Sequence, residues 1–191
     1  QDRSSAASDV YKRQAPRRAG RLVDILPHVD ALILDGFGVI NVGGRLIDGI
    51  GDCLAEIEAR GVAVMVLTNG AGQGAESSWR KYRDWGLPFA RSQVVSSRDS
   101  LEAALPALAA DHIVATLGPE ARPLGLANEL TFATNEDELF DRATAFALLG
   151  ATGWTEAHQA RLEQALARGG RELLVANPDI SAPLDGAFSA E

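Results

Sequence analysis

A single carboxylate ends the apolar stretch ALILD at the head of Ala31 to Ile40, ALILDGFGVI, and glycine follows it at once. Ala31, Ile33 and Leu34 read as a buried strand, and Gly36 and Gly38 permit a tight turn just past Asp35. The Asp35 carboxylate therefore stands at the C-terminal tip of a strand. In open α/β sheets ligands bind at such tips, because loops leave the sheet and helix N-termini converge there. Asp35 is a candidate nucleophile, although an Asp after a strand also commonly caps a turn. A second apolar run, Val62 to Leu67, ends at Thr68-Asn69-Gly70. A hydroxyl, a side-chain amide and main-chain N–H groups in this loop can neutralise an anion without a nearby cation. Adjacent parallel strands stand about 5 Å apart, so the two tips can hold one phosphate between them. A plain turn is the competing reading of Thr68 to Gly70.

The elements that must position these tips follow from periodicity. Ile50, Cys53, Leu54 and Ile57 recur at i, i+3, i+4 and i+7, one buried helix face, and Gly61 ends the segment. VAVMVL, Val62 to Leu67, has the continuous apolar character of a parallel strand covered on both faces. Strand, helix and strand within Ala31 to Thr68 make a βαβ unit with a right-handed crossover. A polar helix is expected from about Ala75 to Trp85, then a short strand Gln93 to Val95. Ser96-x-x-Asp99 reads as a capping box for a helix near Leu101 to Leu108, which Pro106 shortens. From His112 the alternation restarts with HIVATLG, LTFAT, TAFALLG and ELLVA. Thr134-x-x-Asp137 caps one intervening helix, and Thr155 to Arg168 forms another with Leu162, Ala165 and Leu166 inward. This second α/β set is a candidate second domain, with its boundary near Ala109 to Asp111.

Composition narrows the partners. The 191 residues are 46% hydrophobic and 23% charged, ordinary for a globular protein. The net charge of -8 leaves no broad positive field for a nucleic-acid backbone. No apolar run reaches the ~18 residues of a membrane helix, and the N-terminus lacks a signal-peptide core. Neither nucleic acid nor membrane is an expected partner. The single cysteine, Cys53, forbids an internal disulfide and fits a reducing cytosol, so the expected location is cytoplasmic. Gln1 to Gly20 carries no apolar pattern and is read as disordered, and its SSAASDVYKRQ looks like a non-native tail. His28, His112 and His158 read as surface or packing residues. Trp79, Tyr82 and Trp85 recur at near-helical spacing and read as core or interface.

Asp35-Gly36-Phe37-Gly38-Val39, Thr68-Asn69-Gly70 and Asn177-Pro178-Asp179, in this order, resemble the haloacid dehalogenase superfamily, and most of all its class IIA, the NagD-like branch of sugar and nucleotide phosphatases. LGPEARPL, Leu117 to Leu124, and AFALLGATGW, Ala145 to Trp154, resemble segments of that branch's cap. The resemblance implies a Rossmannoid parallel sheet with an inserted α/β cap of the C2 type: residues 21–110 as the N-terminal part of the core and 111–191 as an incomplete cap.

It also implies a phosphoaspartyl mechanism on a small phosphorylated metabolite. Asp35 would attack phosphorus, Thr68, Asn69 and Gly70 would hold the phosphoryl group, and Asn177 and Asp179 would lie on the substrate side. Mg²⁺ would sit on Asp35 and the main-chain carbonyl of Phe37. Family phosphatases carry a second Asp, the general acid, at the position of Phe37. They also carry a phosphate-pairing lysine and an acidic cluster after the cap. Lys12 and Lys81 are the only lysines, and their chain positions fit neither role, so the chain is expected to be an inactive fragment with a sheet edge open to self-association as a homo-oligomer. Two rivals use the same tips. One is a non-catalytic phosphate-binding or interaction module, which Phe37 favours. The other is a dinucleotide-binding oxidoreductase fragment, disfavoured because no GxGxxG follows the first strand.

Overall fold

The computed structural model of the protein describes residues 18–109, 111–118, 123–179, 181–184 and 187–190. The expected disordered tail up to Arg17, and Pro119 to Arg122 of the LGPEARPL stretch, lie outside the described residues.

Strand β1, Ala31–Asp35, leads into a short hairpin, β2 (Asn41–Val42) and β3 (Arg45–Leu46). Gly43 turns this hairpin with a φ of 54°, a conformation costly for any residue with a Cβ. Helix α1, Ile50–Ala59, then buries Ile50, Leu54 and Ile57, and Cys53 packs against the same core from a half-buried position. It returns the chain to β4, Ala63–Thr68, which pairs in parallel with β1. After helix α2, Ala75–Asp84, strand β5, Val94–Ser96, pairs in parallel with β4, so the first sheet has the order β1-β4-β5. Helix α3, Ser97–Ala104, starts directly behind its cap, where the Ser96 hydroxyl accepts the Asp99 N–H at 3.2 Å. It begins earlier than the expected Leu101 because the cap fixes the helix start. Pro106 ends it in a 3₁₀ turn, Leu105–Ala107.

The expectation that both faces of these strands are covered does not hold. Leu34 and Val66 are buried under the α1 and α2 side chains. On the opposite face Ile33 is 70% exposed, Met65 42% and Leu67 49%. Successive strand residues point to opposite faces, so a layer on one side buries only alternate positions.

The second sheet is built from β6 (Val114–Leu117), β7 (Glu129–Thr131), β8 (Ala145–Leu148) and β9 (Glu172–Val175), all parallel, in the order β7-β6-β8-β9. Helices α4, Glu136–Arg142, and α5, Glu156–Ala167, connect them. The helix expected over Thr155 to Arg168 is α5, and Thr155 caps it: its hydroxyl accepts the His158 N–H, and its own N–H donates to His158 Nδ1. The cap of α4 is Asn135 rather than Thr134. Asn135 Oδ1 accepts the Asp137 N–H at 3.1 Å, while the Thr134 hydroxyl is taken by the Thr131 N–H. A C-terminal antiparallel hairpin, β10 (Ser181–Leu184) and β11 (Ala187–Ala190), follows. No helix among the described residues is long and apolar enough to cross a membrane.

Candidate active site

Pairing of β1 with β4 sets Asp35 opposite Leu67, so Asp35 and Thr68 stand at adjoining strand tips. Both open on one cleft of about 390 Å³, which Phe37, Asn69, Gly70, Asn177 and Asp179 also line. Every candidate site residue, Asp35, Phe37, Thr68, Asn69, Gly70, Asn177 and Asp179, therefore lines the same cleft. The turn readings hold as well. Asp35 Oδ1 accepts the Gly36 N–H at 2.6 Å, and Thr68 Oγ1 accepts the Gly70 N–H at 3.2 Å. Because Thr68 Oγ1 is an acceptor there, its own hydrogen stays available to donate into the cleft.

Asn177 and Asp179 arrive from the far sheet. Asn177 Oδ1 accepts the Asp179 N–H at 3.0 Å, the local turn that Asn favours. Asp179 Oδ2 in turn accepts from Asn69 Nδ2 at 3.1 Å. This contact joins the loop after β9 to the loop after β4. Behind it Ala71, 1% exposed, packs with Leu101, Ala145, Ala147, Leu149 and Ala176, so the seam between the sheets is apolar and closed. A second cleft of about 300 Å³ shares Gly70, Gly72, Gln73 and Asn177 with the first and continues along Gly118 and Thr152. Its lining carries no charged side chain.

Three cleft residues escape a reading by chain position. Asn41, 2% exposed, is turned in by the hairpin, where Gly38 N–H donates to Asn41 O at 2.7 Å. Lys81, set aside on its place in the chain, lines the cleft because α2 lies alongside it. Its Nζ stands 4.7 Å from the Trp85 ring centroid, and burial lowers its pKa from the usual lysine value. Tyr82, 3% exposed, lines the cleft too. Its phenol is pushed up to about 12, first by burial and then by the Asp35 carboxylate. The available signal was the helix face: Ser77, Ser78, Lys81 and Tyr82 recur one turn apart and all line the cleft.

The donors around Asp35 are oxygens of carboxylates, amides, hydroxyls and main chain, with no His or Cys in the lining. Among the described residues no group of three His, Cys, Asp or Glu side chains converges on a metal position. This set suits a hard cation that takes one or two carboxylates and completes its shell with water and substrate oxygens, the habit of Mg²⁺. The lining carries two carboxylates, Asp35 and Asp179, against one ammonium, Lys81. A phosphate dianion entering there gains from an added cation.

The sequence matches the model of the haloacid dehalogenase-like hydrolases over residues 32–133, more than half of the chain. No curated protein sequence matches it. Among solved structures it is similar to a possible sugar phosphatase of the same superfamily from Cytophaga hutchinsonii, at 22% identity and a TM-score of 0.72, over 92% of this chain and 64% of that one. It is also similar to a 4-nitrophenylphosphatase from Thermotoga maritima, at 19% identity and a TM-score of 0.63, over 87% and 62% of the two chains. A glycerol phosphate phosphatase from Mycobacterium tuberculosis in complex with magnesium aligns at 20% identity and a TM-score of 0.59, over 87% and 49%. The chain thus spans less than two thirds of the length of these structures. With matched residues running from β1 through β7 and the same parallel α/β fold, the chain belongs to the haloacid dehalogenase-like hydrolase family.

Proposed function

We propose that the protein is a Mg²⁺-dependent phosphomonoester hydrolase working through an aspartyl-phosphate on a small phosphorylated metabolite. The observation that carries this reading is the meeting of Asp35 and Thr68 at adjoining strand tips in one cleft. Asp35 attacks phosphorus, forming a carboxyl oxygen–phosphorus bond as the bond to the leaving oxygen breaks. Water then attacks the same phosphorus, releases phosphate and restores the carboxylate. The Thr68 hydroxyl and the Asn69 N–H hold the transferring oxygens, while the Gly70 N–H, given to Thr68 Oγ1, orients that hydroxyl; such donors count most where water is scarce. Mg²⁺, when bound at Asp35 and the Phe37 carbonyl, supplies charge that offsets the repulsion between carboxylate and phosphate.

Residues 21–110 act as the core part and 111–191 as the cap part. Asn177 and Asp179 bring the cap's edge over the substrate side of the cleft, in contact with Asn69. The uncharged second cleft suits a neutral leaving group. A cytosolic metabolite is the fitting substrate class. This chain carries the proposed nucleophile and phosphate-binding tips.

Phe37 favours a second reading, a non-catalytic phosphate-binding module of the same fold. It lines the cleft where family phosphatases place a proton donor. A positioned general acid contributes about 10² to 10⁴ in rate. Phosphate release from a panel of phosphomonoesters with Mg²⁺, measured on the longest expressed form of the protein, separates the two readings. Release that vanishes in Asp35→Asn supports the hydrolase. Phosphate binding with no release supports the module, and release unchanged in Asp35→Asn contradicts both roles given to Asp35.

A further inference from the structure

Tyr82 is buried in a way that its ring explains and its hydroxyl does not. The ring packs edge-on against Phe89, with centroids 5.7 Å apart, and beside Trp85 at 6.3 Å. A phenylalanine would make both contacts. The hydroxyl makes no hydrogen bond among the described residues, yet the residue is 3% exposed and its surface opens on the cleft of Asp35 and Thr68. Among the described residues the partnerless side-chain atoms shut off from solvent are Ser97 Oγ and His112 Nδ1; the Tyr82 hydroxyl instead faces the cleft with its hydrogen free to donate.

Gly36 supplies the second observation. A Cβ at Gly36 would stand 2.6 Å from Tyr82 Oη and 3.1 Å from Thr68 Oγ1. The two hydroxyls therefore flank one point at the strand tip, directly after the candidate nucleophile. Glycine leaves that point open, and any side chain there would push the phenol away.

Resting on the phosphohydrolase reading above, we propose that the Tyr82 hydroxyl donates a hydrogen bond to the phosphoryl group held between Asp35 and Thr68, and that Gly36 keeps its approach clear. The phenol suits this work because an ordinary tyrosine hydroxyl ionises only at about pH 10, so it stays a donor across the neutral range. Nothing needs to be transferred: the hydrogen stays on Tyr82, and the bond helps to carry the charge on the oxygens. With an anionic acceptor such a bond is among the stronger ones.

Calorimetric titration of the full chain with inorganic phosphate in the presence of Mg²⁺ tests this, together with the thermal midpoint of each variant. Tyr82→Phe keeps the ring and removes the donor. Its expected result is a loss of about tenfold in phosphate affinity with an unchanged midpoint. Gly36→Ala, whose Cβ crowds both the Tyr82 and the Thr68 hydroxyl, is expected to lose at least as much affinity. Thr68→Val serves as the separate check on the site. Loss in Thr68→Val with wild-type affinity in Tyr82→Phe would overturn the proposal and leave the phosphate site standing. Absence of phosphate binding by the wild-type chain would overturn both. A drop in midpoint with unchanged affinity in Tyr82→Phe would make Tyr82 a packing residue and overturn the proposal as well.

Discussion

In the second sheet β6 is buried at all four positions and β8 at all but Leu148, whereas in the first sheet Ile33, Met65 and Leu67 stand open to solvent. Both pairs of strands are written in the same apolar alphabet. The difference lies in what covers them. Phe146 points into a cluster with Leu139, Phe140, Leu162 and Ala165 from α4 and α5. Ala145 and Ala147 point the other way and pack against Leu101 of α3 and Ala71 of the loop after β4. The second sheet is thus clamped between its own helices and the first unit, and this clamp brings Asn177 and Asp179 to the cleft. Among the described residues, the first sheet has helices on the Leu34 and Val66 side alone. An apolar strand shows that burial is favourable on both faces and leaves open which segment provides it.

Substitutions should expose this asymmetry. Phe146→Ala, in the doubly covered sheet, is expected to cost about 3 to 5 kcal/mol in denaturant unfolding, the range for deleting a buried ring. Ile57→Ala, under the covered face of the first sheet and fully buried, should cost about 2 to 5 kcal/mol. Thr155→Ala removes the acceptor for the His158 N–H and should cost about 1 kcal/mol. Ile33→Ser, on the open face, should shift stability by no more than about 0.5 kcal/mol and reduce self-association. A cost from Ile33→Ser as large as that from Ile57→Ala would show that the open face is covered in solution.

The cleft at the strand tips has its own readout. In a Tyr11→Phe background, absorbance titration reports Tyr82 alone, since the chain has two tyrosines. Its phenol should stay protonated past pH 10, where an ordinary tyrosine ionises, and titrate near the raised value of about 12. With its folded pKa raised, Tyr82 contributes stability that is present below pH 10 and lost as pH rises toward 12. Asp35→Asn removes the smaller cause and should bring the titration part of the way back.

What the sequence disclosed, and what it withheld, follows the range of the interactions. The strand tips at Asp35 and Thr68 were legible because an apolar run ending in glycine is a local signal. So was helix α5, whose inward Leu162, Ala165 and Leu166 recur at helical spacing. Asn135 displaced Thr134 as a cap because Thr131, in the turn before it, already occupied the Thr134 hydroxyl. Lys81 and Tyr82 were hidden at the cleft because their placement depends on which side α2 turns toward β1, a long-range matter. The meeting of Asn69 with Asp179 spans 110 residues and belongs to the packing of the two sheets.

The central claim is that Asp35 is the carboxylate that accepts a phosphoryl group, with Thr68 beside it. Beryllium trifluoride caps such a carboxylate as a mimic of the aspartyl-phosphate and asks for no turnover. Fluorine NMR of the chain with beryllofluoride and Mg²⁺ should show a bound signal that disappears without Mg²⁺ and in Asp35→Asn. The same bound signal in Asp35→Asn, or none in the wild-type chain, would contradict the account.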